Sequence, residues 1–323
     1  MPRGRVYLPA CAFALGAGVL VAIGWVAGWG GVDFSAQATR LNVIFSGPAT
    51  LGIIAAFMVI ERLRPAQRRP WNARGYRQDL LFAVVHAALV PLVVALTLAF
   101  THVLQTALPW IVLPRMGAVP RVAAIVAILV LMDGCNWFVH LMNHRVRMLW
   151  RFHELHHSQE DMSVLTVFRT HPLIHVSHLL AVIPGIVLFA NGALSVSMLV
   201  GYGAIVAFAH SNTNLGFGPL ERIFVSPNFH RIHHRLDGRQ DVNLGFTLTI
   251  WDQMFGTAVF PTPESVRADT GIPGRPLVVE QEGARARHLS VLGAQLVAPF
   301  RPLREAPVAH EPVELEPELC EVH

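Results

Sequence analysis

Apolar residues fall along this chain in long unbroken stretches, not in the short periods of a soluble domain. Six stretches stand out, at about residues 8–32, 41–60, 80–108, 119–139, 173–190 and 193–209. A helix needs roughly 20 apolar residues to cross a bilayer, so the first four predict spanning helices. The last two are shorter and predict either spans or a re-entrant hairpin turning at Asn191-Gly192. Beyond about residue 215 the chain becomes more polar, and after Pro261-Thr-Pro-Glu it is rich in Arg, Pro and Glu. Residues 288–300 within that tail predict a short amphipathic helix on a membrane surface. The expected organisation is an all-α, polytopic helical bundle carrying a cytoplasmic, histidine-rich helical cap. Residues 1–118 supply N-terminal spanning helices and a basic loop, 119–260 the chemistry, and 261–323 a polar, partly disordered tail.

Composition sharpens this reading. Of 323 residues, 53% are hydrophobic and only 14% charged, against about 25% charged in a soluble domain. All 25 basic residues are arginine. The formal net charge of +4 does not point to nucleic acid, because the arginines flank apolar stretches and no nucleic-acid-binding motif accompanies them. They act instead as topology signals. Arg62, Arg64, Arg68, Arg69, Arg74 and Arg77 crowd the short loop after the second stretch, and the positive-inside rule makes that loop cytoplasmic. Counting spans then puts the N-terminus and the ends of the fourth and sixth stretches on the same side. The first stretch, preceded by Arg3 and Arg5, predicts a retained helix rather than a cleaved signal. Cys11, Cys135 and Cys320 form no C-x-x-C pair and imply no disulfide framework. The expectation is an integral, multi-pass protein of a bacterial inner membrane with its active site facing the cytoplasm.

The chemistry lies in the histidines. Five fall within eighteen residues, His140, His144, His153, His156 and His157, and a second cluster, His230, His233 and His234, repeats the H-x-x-H-H spacing. Spacings of three and four put imidazoles on one helix face, and imidazole is the commonest side-chain metal ligand. His210 ends the sixth stretch on the side where the other clusters land. These nine exceed what one zinc needs and predict a dinuclear centre. His171, in Arg-Thr-His-Pro, is a further candidate ligand. Asp133 lies seven residues before His140 on the same face, placed to orient a ligand imidazole. Asn243 and Asp252 are candidates for the same supporting role, and Asp161 and Asp241 are further acids that could balance metal charge. His86, His102, His175 and His178 read as packing or interfacial histidines.

Imidazole suits iron, copper and zinc. Two redox metals at a membrane face can activate O2 against an unactivated C–H bond, and lipid tails offer such bonds. Two alternatives stand beside this. His153-Glu154-Leu155-His156-His157 satisfies H-E-x-x-H, so a membrane zinc metallohydrolase with Glu154 as base is one. Leu236-Asp237-Gly238 would supply its distal motif, though both lie in polar surroundings. A non-catalytic metal-binding or transport protein is the other.

At residues 119–260 the chain resembles the fatty acid hydroxylase/sterol desaturase superfamily. The boxes His140/His144, His153/His156/His157 and His230/His233/His234 carry the resemblance. So do the flanks Leu149-Trp-Arg-Phe-His, Arg169-Thr-His-Pro, His210-Ser-Asn and Trp251-Asp-Gln-Met-Phe-Gly-Thr. Asn214-Leu-Gly-Phe-Gly-Pro-Leu-Glu is similar to the alkylglycerol monooxygenase branch. The resemblance implies a membrane-embedded diiron oxidase that hydroxylates or desaturates a sterol, fatty acyl or ether lipid. Asn136-Trp137 and His140-Leu141 depart from the two tyrosines and His-Arg often found at the first box, and Asn214 departs from the third H-x(3)-H of fatty acid 2-hydroxylases. No haem, flavin or iron–sulfur motif is present, so electrons come from an external redox protein or a pterin.

Overall fold

The computed structural model describes residues 48–111, 121–175, 177, 196–273 and 288–301. The first apolar stretch, most of the fifth, the Asn191-Gly192 turn and the final tail lie outside the described residues.

The apolar stretches become the long helices. They are α1 (Pro48–Leu63), α2 (Tyr76–Ala107), α3 (Arg121–Arg145) and α5 (Val196–Ala209). Within α3, Val126–Arg145 is long and apolar enough to cross a membrane by length and composition. The polar region folds into short helices: α4 (Arg147–His157), α6 (Pro227–His233), α7 (Ile250–Met254) and α8 (Pro263–Arg267). Among the described residues four short 3-10 helices, Pro109–Ile111, Val164–Phe168, Gly218–Arg222 and Ala298–Phe300, join or extend them, and α9 spans His288–Val297. Among the described residues no strand forms; isolated antiparallel bridges pair Pro65 with Thr213, Phe224 with Leu248 and Arg235 with Thr270.

Local chemistry sets the short elements. Val146 adopts an extended conformation between α3 and α4, so α4 folds back and packs closely on α3. Ser226 caps α6 by accepting from Phe229 N at 3.1 Å, with Pro227 at the first helical position, where its missing N–H costs nothing. Ser163 and Thr166 form a capping box on the Val164–Phe168 turn.

Buried polar clamps join distant elements. One Glu61 carboxylate oxygen accepts from Val164 N at 2.6 Å and from Asn212 N at 2.7 Å, tying α1 to the segment that follows His210. Arg169 pairs with Asp79, both fully buried, while Gln159 Nε2 donates to the other Asp79 oxygen at 2.6 Å. Arg231 lies inside the second histidine box, donating to Val266 O at 2.8 Å and Gln67 Oε1 at 2.6 Å. It anchors α6 to α8 and to the loop after α1. The expected amphipathic helix is present as α9, but it docks on the protein: Gln295 Oε1 accepts from Gln78 Nε2 at 3.0 Å, and Leu296 O faces His171 Nε2 at 3.0 Å.

Candidate metal centre

Nine buried or half-buried histidines meet where α3, α4, α5 and α6 converge. Their ring nitrogens sort into two groups, each with ligand atoms within 4.8 Å of one another: His140, His144, His153, His157 and His233, and His156, His210, His230 and His234. Neither group contains an acid or His171. Each H-x-x-H-H box divides between the groups. Residues four apart lie nearly above one another on a helix, whereas the third diverges. So His153 and His157 serve the first group and His156 the second, while His230 and His234 serve the second and His233 the first. The two boxes are exchanged partners, and neither completes a group alone.

Three imidazoles are oriented by main-chain carbonyls. A carbonyl only accepts, so the facing nitrogen is the N–H and the other presents a lone pair. His140 Nδ1 donates to Leu244 O at 2.8 Å, His210 Nδ1 to Val206 O at 2.7 Å and His233 Nδ1 to Val242 O at 2.8 Å. The Nε2 atoms then converge. His153 Nε2 lies 3.1 Å from His140 Nε2 and 3.2 Å from His157 Nε2, and His210 Nε2 lies 3.0 Å from both His156 Nε2 and His230 Nε2. His144 Nε2, His233 Nε2 and both nitrogens of His234 are buried without a hydrogen-bond partner. A buried polar atom left unpaired costs about 1–3 kcal/mol, and converging unprotonated nitrogens are what a cation requires. The donor set therefore fits two metal ions.

Electrostatics keeps these rings neutral. Burial, reinforced by neighbouring imidazoles, holds His153, His157, His230 and His234 well below the usual histidine range. Burial takes His233 to about 3 and His210 to about 4. A neutral imidazole is the form that ligates.

The supporting residues divide differently from expectation. Asp133 accepts from Thr247 N and Oγ1, Leu248 N, Trp251 Nε1 and Tyr202 Oη, and none of these donors is an imidazole. Asp252 accepts from Leu244 N at 2.9 Å, Gly245 N at 2.8 Å and Trp137 Nε1 at 3.0 Å, so it holds the very residue whose carbonyl orients His140. Asn243 stands between the carbonyls of residues 242 and 244 with φ 52°, in the left-handed region that asparagine tolerates. Its side chain donates to Phe229 O at 2.8 Å and Val259 O at 2.7 Å and accepts from Val259 N at 2.7 Å. That conformation lets carbonyls two residues apart reach His233 and His140. His171 lies away from both groups, with Nδ1 accepting from Leu173 N at 3.2 Å and Nε2 donating to Leu296 O. Glu154 is half-buried and belongs to neither group. Asp241 forms surface ion pairs with Arg145 and Arg239, and Asp161 pairs with Arg69.

Sequence reasoning missed the carbonyls of Val242, Leu244 and Val206, which no residue type announces. It also missed Trp150, whose ring centroid lies 5.1 Å from that of His144 and 5.4 Å from that of His157, and Phe246, 5.1 Å from His140.

A family profile described as fatty acid hydroxylase matches residues 125–257. An ornithine lipid hydroxylase of Rhizobium tropici is 31% identical over 246 residues, covering 72% of this chain and 71% of that protein. Alkylglycerol monooxygenases of Xenopus tropicalis and Homo sapiens are 34% and 35% identical over 138 and 134 residues. Those matches cover 41% and 38% of this chain but only 29% and 28% of theirs. No solved structure matches.

Proposed function

Because the chain belongs to the fatty acid hydroxylase family, we propose that it is a membrane-bound diiron oxidoreductase that uses O2 to hydroxylate a C–H bond of a polar membrane lipid. The observation that carries this is the pair of histidine groups, five and four imidazoles without an acid between them. Two irons held there would supply dioxygen activation and oxidising power at the carbon. His140, His144, His153, His157 and His233 would hold one ion, and His156, His210, His230 and His234 the other.

The chain's own residues do the rest. The carbonyls of Leu244, Val206 and Val242 hold three imidazoles in the ligating tautomer. Trp150, Phe246 and the helix faces exclude water, which protects an oxidant from side reactions. An acyl- or alkyl-bearing polar lipid is favoured as substrate, since a relative matching 72% of this chain is named an ornithine lipid hydroxylase and two further relatives alkylglycerol monooxygenases. Electrons would come from an external redox protein or a pterin. The protein would cross the membrane several times with the site on the cytoplasmic side, as the basic loop at residues 62–77 favours.

The first experiment is metal analysis by mass spectrometry on protein purified anaerobically in mild detergent after growth with iron. About two irons per chain, lost in His153→Ala and His233→Ala, followed by oxygen-dependent hydroxylation of added lipid, is the expected result. A single zinc that survives His233→Ala would overturn the dinuclear reading. It would also bring forward the hydrolase with Glu154 as base, which in turn requires that Glu154→Gln abolish activity.

A further inference from the structure

Residues 244–255 run along α3 from His140, near that helix's polar end, back to Asp133. Arg145, exposed and paired with Asp241 at 2.7 Å, closes the helix. Trp137 lies two turns back, about 12 Å along the axis at ~1.5 Å per residue. Its indole donates to Asp252, and its ring stacks on Phe255 with centroids 4.5 Å apart. Asp133, a further turn back, accepts from Trp251 Nε1 at 3.1 Å. The segment thus packs along the middle of Val126–Arg145, the stretch that is long and apolar enough to span.

Non-helical backbone survives in hydrocarbon only if its polar groups are paired within the protein. Here two fully buried carboxylates do that. Asp252 takes Leu244 N and Gly245 N, and Asp133 takes Thr247 N at 2.9 Å and Leu248 N at 3.1 Å. Glycines allow the close fit: a Cβ on Gly134 would meet the Trp251 ring at 2.8 Å, and one on Gly245 would meet Leu248 O at 2.5 Å. The outer surface is mostly apolar, and its exposed polar side chain, Gln253, is engaged with Arg222 O at 2.7 Å. Ile250, Met254 and Phe255 are exposed, as are Leu220, Ile223 and Phe224 on the segment bridged to Leu248. From residue 243 to 260 the only charge is the buried Asp252. Arg222 reaches over the Phe260 ring at 5.6 Å, a basic group beside the apolar surface.

We propose that residues 244–255 form a re-entrant turn within the hydrocarbon layer, with Ile250, Met254 and Phe255 against lipid tails. The occupant is the acyl region of the bilayer, and the inference rests on the lipid-oxidising reading of the adjoining site. Asp133 and Asp252 are positioning residues that make the turn tolerable in an apolar medium.

The test uses the full chain with Cys11, Cys135 and Cys320 replaced by Ala, and single labelling sites at Met254→Cys, Phe255→Cys and, as a water-facing control, Asp237→Cys. Each carries a bimane fluorophore and is reconstituted in phosphatidylcholine vesicles. Mid-chain nitroxide lipids should quench the labels at 254 and 255 several-fold more than the label at 237, with iodide showing the reverse order. Equal iodide quenching at all three places the turn in water and overturns the proposal. Shielding from both quenchers means that a second copy or another segment of this chain covers the surface, which also overturns it. Iron content measured on the same samples separates the readings. Two irons with a water-exposed label sinks only the re-entrant turn, and a lipid-facing label without iron sinks only the oxidase.

Discussion

Asp252 shows how much one side chain can decide in this protein. Its two oxygens collect two backbone N–H groups, the Trp137 indole and the Thr257 hydroxyl, all buried. Removing the carboxylate strands several donors at about 1–3 kcal/mol each and frees the carbonyl that orients His140. Asp252→Ala should weaken metal retention by about 10- to 100-fold, the usual scale for losing a group that orients a ligand. Titration of the metal-free variant with ferrous iron would check this, and unchanged affinity would remove Asp252 from the centre. His171 makes the opposite forecast. With both ring nitrogens engaged by backbone around α9, His171→Ala should leave metal content unchanged and lower thermal stability by an amount on the order of 1–2 kcal/mol. Loss of iron in that variant would restore it to the ligand set.

The helical elements show why the histidine boxes work only in combination. α4 and α6 are short helices of 11 and seven residues, too short to be stable alone. α6 is held by its Ser226 cap and Arg231, and both helices are held by packing on α3 and α5. Each box presents two imidazoles to one group and the third to the other, so a small rotation of α6 would carry His233 away from the first group and His230 and His234 away from His156 and His210. The contact between α3 and the turn that orients His140 is equally close. Gly134→Val should push Trp251 off α3, and overpacking of this kind costs about 1–3 kcal/mol. Lower thermal stability with reduced iron content is the expected pair of results; a variant as stable as the parent would show that Trp251 relocates freely.

For the molecule as a whole, the burial of so many imidazoles makes stability depend on pH. His233 is held near 3 and His210 near 4, below the ordinary 6.5 of an unfolded histidine. The unfolded chain therefore binds protons first. The stabilisation is complete above pH 6.5 and is lost as pH falls toward 3–4, by up to about 1.4 kcal/mol per pH unit for each such group. The unfolding midpoint of metal-free protein in detergent should fall steadily between pH 7 and 4, and bound metal should move the decline to lower pH. A midpoint flat across that range would mean the rings are not buried neutral in the folded protein. The clamps at Glu61 and Arg169 act at the same scale, fastening the long helices to the polar loops that carry the site.

The all-α character, the nine histidines and their family are legible in the chain alone. Helical spacing and long apolar stretches are properties of neighbours in the chain, and so are the boxes. Folding divides those nine into five and four, because the division depends on how α4 and α6 are set against α3 and α5. It also moved Asp133 from an imidazole partner to an anchor of the 247–251 turn, gave Asp252 the role of holding Leu244, and set His171 apart. Hydrogen bonds through main-chain carbonyls such as Val242 and Leu244 leave no mark on residue type, so no reading of side chains could have found them.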